Sequence, residues 1–415
     1  MTAVVITADQ ALVPPADAGP DRARGPTAVL AIDGAIVRVG DPGDVAADPR
    51  AAAAHRIAWS GRAMVPGTVN THNHSFQSLL RGIGDDLPFL TWRDQALYRY
   101  SPRLDADGMA TAALFAFGEM LLHGVTTVCD FYYLNRGAND HASAPIEAAR
   151  RLGIRIVLAR CFYDWSGAPE AYRETVPQAV AHFEALERRY HDREQFLVSV
   201  QPAPHSQHGA SPAMIEAGAG CARDAGVPWH IHLAEEQYQV DQSLERFGAR
   251  PLHAIAALPV DLSQMIAVHG CWFDAGERAV LAERGGALAY CPGSNMFLGD
   301  GVTDLVDLVA RGVRVGLGTD GGCSNNRACS TGCAPPPCSR RSTAPTARRS
   351  TPRPASRSAR GPPVASSSCR SAGSRPDIAA TSWRSTSTTR RSGRSRHWKR
   401  MWCIRCRLAR LPTSW

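Results

Sequence analysis

The chain has 415 residues, with 46 basic and 38 acidic side chains and a formal charge of +8. That length accommodates one large domain and a smaller one; no apolar run reaches the roughly 20 residues of a membrane span, and the start, MTAVVITADQALVPPADAG, lacks the charged n-region and apolar core of a secretory leader. The positive charge is no argument for a nucleic-acid partner, because residues 328–415 hold 18 arginines, Lys399 and one acid, Asp377, for +18, while the rest holds 27 basic and 37 acidic side chains, for −10.

These totals set the expectation of a cytoplasmic protein with a small-molecule partner and neither a nucleic-acid nor a membrane partner; a homo-oligomer stays open. Six of the twelve cysteines lie in the basic tail and six are scattered through the body. Neither set has the spacing of a metal site, and a disulfide framework is not expected in the cytosol.

In chain order, residues 1–66 read as short strands and turns. The segment AVLAIDGAIVRVG alternates around Asp33-Gly34, a two-residue hairpin signal, and predicts a small β domain. Residues 67–327 alternate short apolar runs with helical patterns. The runs are a strand leading to His72, then 124–131, 153–162, 196–205, 228–235, 265–270, 286–292 and 313–320, with a helix over 109–123 between the first two. Eight βα repeats predict a (β/α)8 barrel. His72, His74, His205, His232, His269 and Asp320 fall at the C-terminal ends of these strands, the face on which such barrels carry chemistry.

From Ala328 the chain turns Ser/Arg/Pro/Thr-rich, loses its acids and shows no period. As printed it reads as a disordered basic tail. Read one base out of register with GC-rich codons, Ala328–Cys338 becomes the start of an amphipathic helix, Asp377–Thr389 an alternating strand, and acids return with them. Residues 328–415 are therefore expected to be out of frame and are set aside from the fold.

Four residues suit a metal. His72-Asn73-His74 alternates along a strand, so both imidazoles point one way. Taken singly, His232 could be structural, Asp320 a helix cap and His269 a core histidine. Taken together, three imidazoles and a carboxylate make a donor set that leaves room for water and lowers its pKa. Glu235, three residues past His232, can carry a proton toward a departing nitrogen. His269 can hold or polarise the atom under attack.

The segments MVPGTVNTHNH (64–74), HIHLAEE (230–236), AVHG (267–270), CPGSNMFLGDG (291–301) and GTDGGCSNN (318–326) occur in an order and spacing that resembles the amidohydrolase superfamily, in its cytosine-deaminase-like and chlorohydrolase-like branch. The resemblance covers residues 1–327. It implies that His72, His74, His232 and Asp320 bind one divalent metal, zinc first and iron as the alternative. It also implies that Glu235 is the proton shuttle, that His269 and Asp320 belong with it to the catalytic set, and that His205 touches substrate. The implied fold is the same barrel with a small β-sandwich built from both chain ends. The domain limits are then 1–66 for the N-terminal part of the sandwich, 67–327 for the barrel and 328–415 for the out-of-frame tail.

For the substrate, LLRGIGDDLPFLTW (79–92) resembles deaminases of thiolated or homocysteinyl adenosines. HSFQ (74–77), TWRD (91–94) and DFYY (130–133) lean toward N-formimino-L-glutamate deiminases and amino-purine deaminases. Gln77, Trp92, Arg93, Tyr132, His205 and His269 are the pocket candidates; Trp92 could equally be a core aromatic and Arg93 a solvated charge. A dicarboxylate needs guanidinium forks, yet PHSQHGAS (204–211) offers Gln207 and His208 where an arginine would serve. Asp85-Asp86 also favours a neutral or cationic ring. The expectation is a deaminase of an aminopurine or adenosine derivative, with the deiminase as the alternative and an inactive, frameshifted pseudoenzyme as the reading from another class.

Overall fold

The computed structural model describes residues 2–13, 22–83, 87–135, 137–194 and 197–324. The Asp85-Asp86 pair and residues 328–415 lie outside them.

The first strands are β1 (Ala3–Val13), β2 (Arg22–Arg24), β3 (Thr27–Ile32), β4 (Ala35–Gly40) and β5 (His55–Met64). They form one mixed sheet in the order β2-β1-β3-β4, with β5 parallel to β1. Alternation along β1 sends Val4 and Ile6 to a cluster with Val29 and Met64, and Val5 to the opposite face with Ala28, Leu30 and Val45. Asp33 and Gly34 join β3 to β4 with φ of 48° and 85°, the left-handed pair of a type I′ hairpin. The C-terminal part of the expected sandwich lies outside the described residues.

Eight parallel strands follow: β6 (Thr68–Asn73), β7 (Val125–Tyr132), β8 (Arg155–Phe162), β9 (Val198–Pro204), β10 (Trp229–Leu233), β11 (Met265–His269), β12 (Ala287–Tyr290) and β13 (Arg314–Leu317). They make two four-stranded sheets, β6 to β9 and β10 to β13, each in sequence order. Each expected apolar run carries one of them. β7 and β8 are buried along their whole length, which is why they read as continuous apolar runs. The expected helix over 109–123 is Ala106–Leu122, beginning earlier because Asp105 caps it by accepting from Gly108 N. Thr175 with Gln178 closes a capping box on the helix Val176–Tyr190, and Asp274 with Glu277 does so on Ala275–Glu283.

The two sheets meet at both edges through single parallel bridges, Ser206 with His232 and Asn73 with Asp320. At the first, His232 N donates to His205 O at 3.0 Å; at the second, Thr319 N and Asp320 N both donate to His72 O at 3.0 Å. Asn70 ties the second seam again, donating from Nδ2 to Thr319 Oγ1 at 2.7 Å and accepting from Thr319 N at 3.1 Å. A Cβ on Gly318 would lie 2.8 Å from His72 Cβ and 2.9 Å from His72 O, so only glycine lets the chain pass β6 this closely.

Candidate metal centre

Both seams open onto one cluster. His72 lies on β6 and His74 directly after it; His232 is on β10, His269 ends β11, and Asp320 follows β13. All five are buried. His72 Nε2 lies 3.2 Å from His74 Nε2, and Asp320 Oδ1 lies 3.5 Å from the first and 3.3 Å from the second. The His232 ring centroid is 4.9 Å from that of His72 and 5.5 Å from that of His269. His72 with His232 and His269, and His72 with His74 and Asp320, each offer donor atoms within 4.8 Å of one another.

Backbone strain aims two of these groups. His269 and Asp320 have φ of 74° and 62°, and Ala234, beside Glu235, has 48°. Non-glycine residues enter the left-handed region at a cost of about 1–3 kcal/mol, met only where the surroundings enforce it. Asp130 fixes the approach to His74, accepting from Ser75 N and Ser75 Oγ at 2.6 Å and from Asn73 Nδ2 at 3.2 Å.

Hydrogen bonds to the outer ring nitrogens sort the imidazoles. His74 Nδ1 donates to Phe131 O at 2.7 Å and His232 Nδ1 to His205 O at 2.8 Å. That leaves both Nε2 atoms as lone-pair donors toward the cluster, the arrangement of metal-ligating histidines. Burial lowers His72 to about 3 and takes His232 and His205 well below the ordinary histidine value. Burial pushes the Asp320 carboxyl up, but the His72 hydrogen bond and the neighbouring imidazoles outweigh it and hold it well below the usual carboxylate range. Three imidazole nitrogens and one carboxylate oxygen make the mixed nitrogen and oxygen donor set of a mononuclear divalent site. A divalent cation fits this donor set.

Glu235 stands beside the cluster, with Oε1 3.4 Å from His269 Nε2. Burial, then the charges of Asp320 and Glu236, raise its carboxyl well above the usual value, so it holds a proton readily. Gln239, from the next helix, cradles it: Oε1 accepts from Glu235 N at 3.0 Å and Nε2 donates to Glu235 Oε2 at 3.4 Å.

His74, His232, Glu235, His269 and Asp320 line one cleft. Gln77, Trp92, Arg93 and His205 line it as well. Gln77 accepts from Gly322 N at 2.9 Å and donates to the Tyr133 hydroxyl, so its amide orients Tyr133. Trp92 is buried and stacks on Phe89, with ring centroids 6.3 Å apart. Arg93 is not a solvated loop charge: it donates to Asp94 at 2.8 Å and lies over the rings of Tyr98 and Trp165.

Tyr132 is a correction. Its ring is wholly buried, packs on Phe76 and does not line the cleft, whereas Tyr133 does. The cleft-lining residue of this stretch is Tyr133, 5.1 Å from the His74 ring, while Phe131 is buried against the His232 ring at 4.4 Å. With β7 buried on both faces, alternation carried no sign of which tyrosine turned inward. Tyr98, Tyr163 and Tyr172 complete an aromatic wall that no motif signalled; Tyr163 lies 4.4 Å from the His205 ring.

The model of the amidohydrolase family matches residues 63–335. The chain belongs to the amidohydrolase family. This amidohydrolase is 33% identical over 301 residues to a 5-methylthioadenosine/S-adenosylhomocysteine deaminase of Syntrophobacter fumaroxidans, a match covering 72% of this chain and 66% of that one, just under two thirds of its length. It is also similar to an adenosine deaminase from Xanthomonas campestris with bound zinc, at 27% identity and a TM-score of 0.66 over 78% of this chain and 70% of the other. At the level of fold it resembles an atrazine chlorohydrolase from Arthrobacter aurescens complexed with zinc, with 24% identity and a TM-score of 0.71 over 78% and 73% of the two chains.

Proposed function

We propose that this amidohydrolase is a metal-dependent deaminase that releases ammonia from an adenosine-like amino-heterocycle. The observation that carries the reading is the burial of His72, His74, His232 and Asp320 in one cluster with Glu235 and His269 beside it, all but His72 lining an aromatic cleft. The curated relative named for deamination of adenosine derivatives supports the substrate class.

The ligand set is His72, His74, His232 and Asp320, for one divalent ion, zinc first. Such an ion supplies Lewis acidity, which lowers the pKa of water into the working range. The protein's own groups do the rest. Tyr133, Tyr163, Tyr172 and Trp92 offer faces and edges on which a planar ring stacks, and they keep bulk water off the centre. Glu235 carries a proton to the departing nitrogen, which leaves as ammonia only once protonated. His269 holds the atom under attack from Nε2. Among the described residues Arg93 is the one arginine lining the cleft, and it is already engaged with Asp94; a guanidinium so engaged favours a neutral heterocycle over a dicarboxylate.

For the fold we read the two four-stranded sheets and their two seam bridges as a (β/α)8 barrel over residues 67–327, with residues 1–66 as part of a small β-sandwich. No helix among the described residues is long and apolar enough to cross a membrane, and the cytoplasm stays the expected compartment.

The test of function is ammonia release against 5-methylthioadenosine, S-adenosylhomocysteine, adenosine, aminopurines, triazines and N-formimino-L-glutamate. Turnover is expected on the purine nucleosides; turnover on formimino-glutamate alone would overturn the substrate reading. For residues 328–415, resequencing of the coding DNA is expected to reveal a gained or lost base near codon 328. An unaltered sequence would make the basic tail native.

A further inference from the structure

The segment after β12 carries three buried residues that bear on His269. Asn295 Nδ2 lies 3.0 Å from His269 Nδ1 and 3.0 Å from Asp300 Oδ2. Thr303 Oγ1 donates to the His269 carbonyl oxygen at 2.8 Å. Asn295 is fully buried, and Asp300 and Thr303 are nearly so. One short stretch therefore clamps a histidine that already sits at a strained φ of 74°.

An amide nitrogen has two hydrogens and accepts nothing. With one hydrogen on Asp300 Oδ2, the other points at His269 Nδ1, which must accept it. A neutral imidazole then carries its own hydrogen on Nε2, the atom 3.4 Å from Glu235 Oε1. His74 and His232 are held in the opposite sense, because their Nδ1 atoms face the carbonyl oxygens of Phe131 and His205. For His74, His232 and His269 the partner of the outer nitrogen decides what the inner one does. A carbonyl outside leaves a lone pair inside; an amide N–H outside leaves a hydrogen inside.

We propose that Asn295, oriented by Asp300, is a positioning residue that fixes His269 as the Nε2–H tautomer, so that His269 acts at the centre as a hydrogen-bond donor to substrate and neither as a metal ligand nor as a base. Thr303 serves the same end by fixing the backbone that aims the ring. The role assigned to the donor rests on the deaminase reading; the tautomer itself does not. The opposite arrangement, an amide turned end for end with a protonated Asp300 donating to Asn295 Oδ1, would leave Nε2 a bare acceptor.

Two-bond 1H–15N spectra of the 15N-histidine-labelled protein separate the two tautomers without substrate. The chain has 14 histidines, and His269→Gln identifies the signal in question by its loss. The Nε2–H pattern is expected in the wild type. Asn295→Asp, which is isosteric, sets an acceptor against Nδ1 and is expected to move the hydrogen there or add a second one. It should also lower kcat roughly tenfold or more, as expected when a hydrogen-bond donor to the atom under attack is displaced, with KM little changed. Asn295→Leu should remove the tautomer preference. An Nδ1–H pattern in the wild type overturns the proposal, as does an Asn295→Asp protein whose tautomer and kcat match the wild type. If the wild type releases no ammonia from any compound yet gives the Nε2–H pattern, the deaminase reading falls and the tautomer assignment stands.

Discussion

Glu235→Gln is expected to lower kcat for ammonia release by roughly 10²–10⁴ while leaving bound metal unchanged. The substitution keeps the shape of the side chain and its place beneath the cleft, and Gln239 Oε1 still accepts from the backbone N of residue 235, a bond the change does not touch. What disappears is the ability to take up a proton and release it. Glu235 is suited to that exchange because burial, with the charges of Asp320 and Glu236, raises its carboxyl well above the usual range; a carboxyl tuned upward passes a proton on near neutral pH more readily than an ordinary one. Since Glu235 stands outside the proposed ligand set, elemental analysis should find the same metal content as in the wild type. A variant that still turns over at near-normal rates would end the shuttle assignment.

His232→Ala is expected to abolish stoichiometric metal binding, from about one divalent ion per chain in the wild type, the count a mononuclear set of this type holds. His232 Nδ1 is committed to His205 O, so the Nε2 lost with the ring is the atom aimed at the cluster. Two imidazoles and one carboxylate remain, one ligand short of the set. Because an ion that binds only the folded protein stabilises it by mass action, chelation should lower the Tm of the wild type, and the variant should show no further fall. Metal content unchanged in the purified variant would refute the ligand assignment.

What the sequence made legible follows from how each feature is encoded. β7 and β8 are buried on both faces and appear as unbroken apolar runs, and the candidate site residues at the ends of β6, β10, β11 and β13 are polar residues interrupting such runs. Both signals are local. The choice between Tyr132 and Tyr133 is not, since a strand buried on both sides has no polar face to mark its register. Asn295 lies within CPGSNMFLGDG, where an asparagine beside glycine and serine reads as turn chemistry; only the folded chain brings its amide to His269. Arg93 was ambiguous for the same reason, because Trp165, one of the rings beneath its guanidinium, lies 72 residues away in the chain.

The two seams have a consequence for how the molecule assembles. Each four-stranded sheet is drawn from a continuous stretch, 68–204 and 229–317, and completes its internal pairing without the other. His72 and His74 belong to the first half, and His232, His269 and Asp320 to the second or its exit. The bridges that close the halves involve Asn73, Asp320, Ser206 and His232 themselves, two of which are proposed ligands. Docking of the halves and creation of the ion site are thus a single event. A chain arrested with both halves formed but apart would keep nearly all its secondary structure and still have no site, and the amides of His232, Thr319 and Asp320, bonded across the seams, would lose their protection together when the halves part.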